Sequence, residues 1–497
     1  MQYRCLGVLL PFLLLAGAAC ASDASPPPST APTSEQSSGA EEDSRVGEWS
    51  SPEPFPAMRA RSTTSYSATH VACPSDGACV ALGNEFGGYE SIAALVAMTE
   101  SDGTWGDPKQ ISPDVVTERP NVLRALACPS TTMCVAGGRQ GPSAIVADAL
   151  DGDWAETAAL PGMMVASAGG SEITDVSCAS ADFCVAVGDF REAAGTPLLL
   201  VDSSFVSELV TGRWNAPSSI PGMFLLNRGI ASATSVDCPT EDFCTVVGAI
   251  SLSTLSDPKA AFYAQRVNGI WGEVQVIPGT EQFDLTQPST TAEVVDCPSV
   301  GNCVIVGNYG SVEGASDPFI WEQVDGQWQE PQLVGSLGDG TELGADATLK
   351  ALSCGSAGNC VAGGELTPAG GPMPFFLLQR NGQWGDAQAL PGFPEATSLS
   401  TYDGPKPYAT VDRIVCSSGL NCIATGTFAD TPIPSVFVSA LIDGRWQKAE
   451  VVEPLGVPGD LAGQHLINGA DCTNEGQCTV VGTSLGTAFW MRINLGS

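Results

Sequence analysis

The chain repeats one phrase, Cys-x5-Cys-x3-Gly, eight times. It first stands as Cys73-Pro-Ser-Asp-Gly-Ala-Cys79-Val-Ala-Leu-Gly83, and later copies begin at Cys128, Cys178, Cys238, Cys297, Cys354, Cys416 and Cys472, 50 to 62 residues apart. A second phrase, Gly-x-Trp, keeps step with it and usually follows Asp or Asn. Its tryptophans are Trp105, Trp154, Trp214, Trp271, Trp328, Trp384 and Trp446, while an eighth, Trp49, stands before the first cysteine pair and none follows the last. A period in this range with several short strands per unit points to a β-propeller, whose last blade must be joined to its first. The unit is split between the two ends of the sequence. The pattern therefore predicts an all-β, eight-bladed propeller of four-stranded antiparallel blades, its ring closed by an N-terminal outer strand that completes the C-terminal blade.

Within one unit, the residues before the first cysteine, as in Thr174-Asp-Val-Ser-Cys178, read as an innermost strand a. A turn rich in Pro, Ser, Gly, Asp and Asn follows. Strand b is a continuous apolar run such as Cys303-Val-Ile-Val-Gly307, suited to burial between two neighbouring blades. Strand c, as in Pro318-Phe-Ile-Trp, runs to the Asp-Gly or Asn-Gly pair, whose tolerance of positive φ suits a tight hairpin into strand d. Strand d starts at the tryptophan and often carries proline, as at Pro52, Pro108, Pro217 and Pro331. Proline has no N–H for a ladder, so d belongs at the outer edge. Repeated tryptophans and glycines accordingly read as packing and turn elements.

Of the 18 cysteines, Cys5 and Cys20 lie near the N-terminus and the rest form eight pairs. An even count in an exported chain, with a fixed five-residue gap, predicts one disulfide per blade: Cys73–Cys79, Cys128–Cys134, Cys178–Cys184, Cys238–Cys244, Cys297–Cys303, Cys354–Cys360, Cys416–Cys422 and Cys472–Cys478. Zinc is the competing reading, but its usual ligand spacings are shorter and the chain has only His70 and His465. The units resemble those of extracellular repeat proteins of actinobacteria, which carry Cys-Pro-Ser-x3-Cys-Val-Ala-Val-Gly with a downstream Gly-x-Trp. The resemblance covers residues 46–497 and implies the same architecture. It implies no activity.

Residues 1–19 carry Arg4, an apolar run from Leu6 to Leu15 and the small stretch Ala16-Gly17-Ala18-Ala19. This reads as a secretory signal, the run being short for a membrane span. Cys20 resembles the acylated cysteine of bacterial lipoproteins, although Gly17 stands where that family's motif usually has leucine. Residues 20–45 then read as an anchor cysteine and a disordered tether rich in Ser, Pro, Thr and Glu, and 46–497 as the propeller. The expected location is extracytoplasmic and lipid-anchored at the cell membrane, with release as the alternative.

A formal charge of −35, without a basic cluster, makes nucleic acid and anionic lipid poor main partners. The cysteine turns and the Gly-x-Trp turns have nearly constant length and would share one face of the disc. The b–c and d–a connections vary and would share the other, where recognition is expected. One tryptophan-to-cysteine distance, Trp384 to Cys416, is 32 residues against 23 to 26 elsewhere, and its extra residues offer Tyr402, Asp403, Lys406 and Tyr408 as a contact patch. Weaker candidates are Glu281, Phe283 and Asp284, and a loop whose Asp339 and Glu342 could take Ca²⁺ but lack the ligand order of a known calcium loop. Ionisable positions before the cysteines would line the central channel: His70, Arg124, Asp175, Asp237, Glu293, Asp296, Lys350, Asp412, Arg413 and Asp471. Opposed carboxylates there could do acid–base chemistry or hold a metal, and solvated walls are the plainer alternative.

No motif supports a Ser-His-Asp triad or a histidine metal site, so no catalytic residue, metal ligand or cofactor is assigned. The features favour a monomeric binding propeller that takes a cell-envelope or extracellular glycan, peptide or protein on its variable face. One alternative is an extracytoplasmic enzyme, sugar-active or quinoprotein-like, that uses the channel carboxylates. Another is an envelope assembly scaffold. Fold alone does not decide among them.

Overall fold

In the computed structural model, whose described residues are 46–56, 65–86, 92–112, 121–163, 170–193, 200–227, 229–252, 259–278, 289–310, 316–334, 347–367, 373–393, 408–429, 434–455 and 465–496, each cysteine phrase is the tight end of a β-hairpin. The chain divides into two units, Met1–Asp43 and Ser44–Ser497, and the described residues belong to the second. In blade 1, strand a is Ser65–Ser75, b is Ala78–Phe86 and c is Ile92–Ser101, while d comes in two pieces, Thr104–Trp105 and Lys109–Gln110, both paired with c. Strands a and b run on past their cysteines, so the turn between them is only Asp76-Gly77 rather than the whole five-residue gap. The other inner strands are Val122–Ser130, Ser171–Ser180, Ala231–Thr240, Ser289–Ser299, Ala347–Ser356, Tyr408–Ser418 and His465–Cys472. Every sheet is antiparallel in the order a-b-c-d, giving eight four-stranded blades, and all eight disulfides link a to b within a blade.

The ring closes at the split repeat. Glu53–Pro54 pairs with Thr487–Asn494, strand c of blade 8, and Phe55 is fully buried with its ring edge-on to Trp105 at 4.8 Å. At the c–d turns both residues take left-handed φ, as at Asp102 (49°) and Gly103 (76°), the geometry of a two-residue hairpin. The two turns of a blade bond to one another, with Gly103 N–H donating to Gly77 O at 3.0 Å and Gly326 N–H to Gly301 O at 2.8 Å. They share one face. The b–c and d–a connections are left to the other.

Strand b is apolar throughout because it serves two cores. In blade 3, where b is Phe183–Ala193 and c is Leu200–Val210, Phe183, Val185 and Val187 pack toward Val236, Val246 and Phe262 of blade 4. Cys184 and Ala186 of the same strand pack with Val135 and Val146 of blade 2.

The final glycine of the phrase answers to a β-bulge. Strand a bulges at the fourth residue before its cysteine, shifting register between Ala292 and Val294, for example. The bulged backbone crowds strand b. A Cβ on Gly307 would stand 2.2 Å from Thr291 O and 2.5 Å from Phe319 Cζ.

Three of the repeated tryptophans tie their blade to the one before it. Trp214, Trp271 and Trp384 donate their indole N–H to Asp148, Glu208 and Glu322 of the preceding strand c, at 3.2, 2.9 and 2.7 Å. Where that acid is replaced by Thr99 or Leu378, the N–H groups of Trp154 and Trp446 are buried without a partner.

Candidate functional site

Strand a is the open inner edge of each sheet, and its unpaired N–H groups need acceptors. In five of the eight blades the residue just before the first cysteine supplies one for the next blade. Asp471 accepts the Cys73 N–H at 2.7 Å, Asp237 that of Cys297 at 2.7 Å and Asp296 that of Cys354 at 3.0 Å. Ser177 and Ser353 do the same for Cys238 and Cys416, at 3.0 and 3.1 Å. Two residues earlier, Asp175 accepts the N–H groups of Val236 and of its neighbour Val176, both at 2.9 Å. Four of the ten channel candidates are therefore stitches between blades.

Four more stand at the bulge. Thr174, Thr234 and Asn468, their counterparts in other blades, donate to next-blade carbonyls at 2.7, 2.7 and 2.8 Å. A charged bulge residue bonds elsewhere: Arg124 to Glu172 at 2.6 Å, Lys350 to Glu365 at 3.3 Å, Asp412 from the Thr427 hydroxyl at 2.9 Å and Glu293 from the Thr291 hydroxyl at 2.5 Å. Beside Glu293, Asn308 of strand b takes over the cross-blade role, exchanging bonds with Leu349 at 2.9 and 2.7 Å. The last two candidates, His70 and Arg413, occupy the Asp175 level in blades 1 and 7.

Burial pushes the Asp175 and Asp471 carboxyls up to about 6. Burial, then the charge of Asp237, pushes Asp296 up to about 8, and burial also raises Asp237. Burial and the charge of Arg413 hold His70 down near 3, so its imidazole is neutral. Acids that keep a proton near neutrality can serve as proton donors, but these hold backbone N–H groups. Among the described residues no three His, Cys, Asp or Glu side chains come together as a metal site.

Tyr402, Asp403 and Lys406 lie outside the described residues, as do Glu281, Phe283, Asp284, Asp339, Glu342 and Cys20. Tyr408 begins strand a of blade 7, partly buried, its phenol raised by burial and then by the charges of Asp412 and Glu365. A cavity of about 400 Å³ opens instead between blades 2, 3 and 4, where the b strands end and the a strands begin. Arg191 grips Asp202 through both carboxylate oxygens, at 2.5 and 3.0 Å. Glu172 receives Arg124 and lies 3.6 Å from the Arg139 Nε. Asp189 forms the floor, accepting from Ser232, Ala233 N–H and Ser204 at 2.7, 3.0 and 3.0 Å, and burial raises it to about 6. Phe190 and Ile230 add apolar surface. Nearby, the helical turn Met223–Leu226 packs on strand c of blade 3 through buried Met223 and leaves Phe224 and Leu225 75% and 69% exposed. The sequence signal for this site is faint: an Arg-Glu pair at the end of strand b and an apolar loop segment, each present in a single unit.

No protein-family model matches the chain, and no curated protein matches its sequence. Among solved structures, the BP39L lectin from Burkholderia pseudomallei is 13% identical with a TM-score of 0.42, over 79% of this chain and 99% of that one. A polysaccharide lyase of family PL25, an ulvan lyase, is 10% identical with a TM-score of 0.41, over 82% and 94%. The Hadza microbial sialidase Hz136 is 12% identical with a TM-score of 0.38, over 72% and 74%. These similarities carry neither ligand nor activity over to this chain.

Proposed function

We propose that the chain is an exported, lipid-anchored binding propeller that takes a cell-envelope glycan in the pocket between blades 2, 3 and 4. The make-up of that pocket carries the reading. Arg191 with Asp202, and Glu172 with its two arginines, present fixed donors and acceptors beside the apolar surface of Phe190 and Ile230. A sugar has hydroxyls for the first and C–H faces for the second. Binding is favoured over catalysis because the channel aspartates that would do chemistry accept backbone N–H groups from the next blade. Exposed Phe224 and Leu225 favour a second reading, in which a protein partner docks on the same face.

Calorimetric titration with fragments of envelope glycan tests the site. Arg191→Ala should weaken binding by about tenfold or more, since a hydrogen bond to a charged group contributes about 1.5–3 kcal/mol. Ile230→Arg should block the pocket without touching the Arg191–Asp202 pair. Equal affinity in wild type and both variants would move the site elsewhere. Eight disulfides fit an extracytoplasmic compartment. The anchor is tested by fatty-acid labelling in cells, which Cys20→Ser should abolish.

A further inference from the structure

Two joints between blades share one frame and differ in a single side chain. Between blades 3 and 4, Glu208 of strand c (Leu200–Val210) accepts the Trp271 N–H at 2.9 Å and the Arg266 Nε–H at 3.0 Å. Arg266, on strand c of blade 4 (Lys259–Val267), is the register partner of Trp271. Its guanidinium lies 4.6 Å from the centre of the Phe183 ring and donates through Nη1 to Glu241 O, in the a–b turn of blade 4. One guanidinium fills that joint.

Between blades 5 and 6, Glu322 of strand c (Ser316–Val324) accepts the Trp384 N–H at 2.7 Å in the same way. The register partner of Trp384, on strand c of blade 6 (Met373–Arg380), is Gln379, shorter and uncharged, which donates to Glu322 through Nε2. A cavity of about 240 Å³ opens there. Its lining includes Glu322, Gln379, Asn302 and Ala357, which stand in the repeat where Glu208, Arg266, Phe183 and Glu241 stand one joint earlier. The space therefore lies among the four positions that supply and hold the guanidinium of blade 4. Glu322 and Gln379 are 9% and 3% exposed, and the Gln379 Oε1 has no donor among the described residues. Asp148, the third acid at this position, also faces an uncharged residue, Leu209, but is only half-buried.

We propose that the cavity between blades 5 and 6 is a second binding site, which takes the arginine side chain of a basic peptide or protein segment. A carboxylate buried without a cation is costly, and an incoming guanidinium completes its bonding. The cavity is smaller than the roughly 300–1,000 Å³ of an ordinary small-molecule site, so it suits one head group rather than a whole ligand. A planar fork reaches the carboxylate and a turn carbonyl together, as Arg266 does, whereas an ammonium is a compact point charge. The net charge of −35 draws a basic partner toward the molecule. Gly358 and Gly382, the a–b and c–d turn glycines of blade 6, line the cavity and so place it on the turn face. The pocket between blades 2, 3 and 4 is on the other face, and this site stands whether or not that pocket binds a glycan.

The test uses the full chain and the indole N–H signal of Trp384 in NMR spectra, assigned with Trp384→Phe. Three capped amino acids serve as probes: Nα-acetylarginine amide, its lysine counterpart, and its citrulline counterpart, which has nearly the shape of arginine without the charge. The arginine probe should move the Trp384 signal saturably, the lysine probe should bind about tenfold or more weakly, and the citrulline probe should leave the signal in place. Glu322→Gln, which keeps an acceptor for Trp384 and loses the charge, should weaken the arginine probe by about tenfold or more. Gln379→Arg rebuilds the joint of blades 3 and 4, so it should melt above wild type and no longer bind the probe. The proposal is overturned if the arginine probe leaves Trp384 unmoved, if lysine or citrulline matches it, or if Gln379→Arg melts below wild type or still binds.

Discussion

Asp296 shows how one side chain can look catalytic and act as a joint. Its folded pKa, about 8, lies above the ordinary 3.8, so the folded state holds the proton more tightly than the unfolded one. The stability this supplies is complete below about pH 4, and it is lost as pH rises, first through the values near 6 of Asp175 and Asp471 and then through that of Asp296. Thermal melts should therefore show Tm falling from pH 5 to pH 9, and Asp296→Asn should flatten the upper part of that fall. An unaltered profile in Asp296→Asn would assign the fall to other groups. The repeat supplies its own control, because Ser177 and Ser353 do the same work without charge. Urea unfolding should show Asp296→Ala costing about 1–3 kcal/mol, the cost of a buried N–H left without an acceptor, and Asp296→Ser costing less.

At the scale of the element, the hairpin from strand a to strand b is fixed by its cysteines and by the glycine opposite the bulge. Gly307→Ala should destabilise by about 1–3 kcal/mol through overpacking against Thr291 and Phe319, read as a lowered urea midpoint. Replacing Cys297 and Cys303 together by serine should cost roughly 2 kcal/mol, since the loop is short and its closure entropy small. The spacing of cysteines, glycines and tryptophans made strand order, disulfides and hairpins legible, because each is local and repeated. The bulge left only an indirect trace in an invariant position without a Cβ. The partner of Asp237 is Cys297, 60 residues on, so its role emerges only when two blades are set side by side. Arg191, Asp202 and Ile230 gave no periodic signal, since a recognition surface is built from what the units do not share. The patch expected around Tyr402 rested on loop length alone, and of it only Tyr408 lies among the described residues.

For the whole molecule, closure depends on a strand from the far end of the chain. Phe55 is buried against Trp105 where blade 8 meets blade 1, and Phe55→Ala should cost about 3–5 kcal/mol. Calorimetry should show a lowered Tm, whereas an unchanged Tm would mean that the seam adds little to the ring. The same ring is read here as a rigid carrier for a binding face, with its inner acids spent on holding blades together. The most direct test is to incubate the protein with isolated envelope glycans, then recover both and weigh the glycans by mass spectrometry. The account predicts glycans recovered at unchanged mass, retained by wild type and released by Arg191→Ala. New, shorter glycans whose appearance is abolished by Asp296→Asn would contradict it and make the channel an active site.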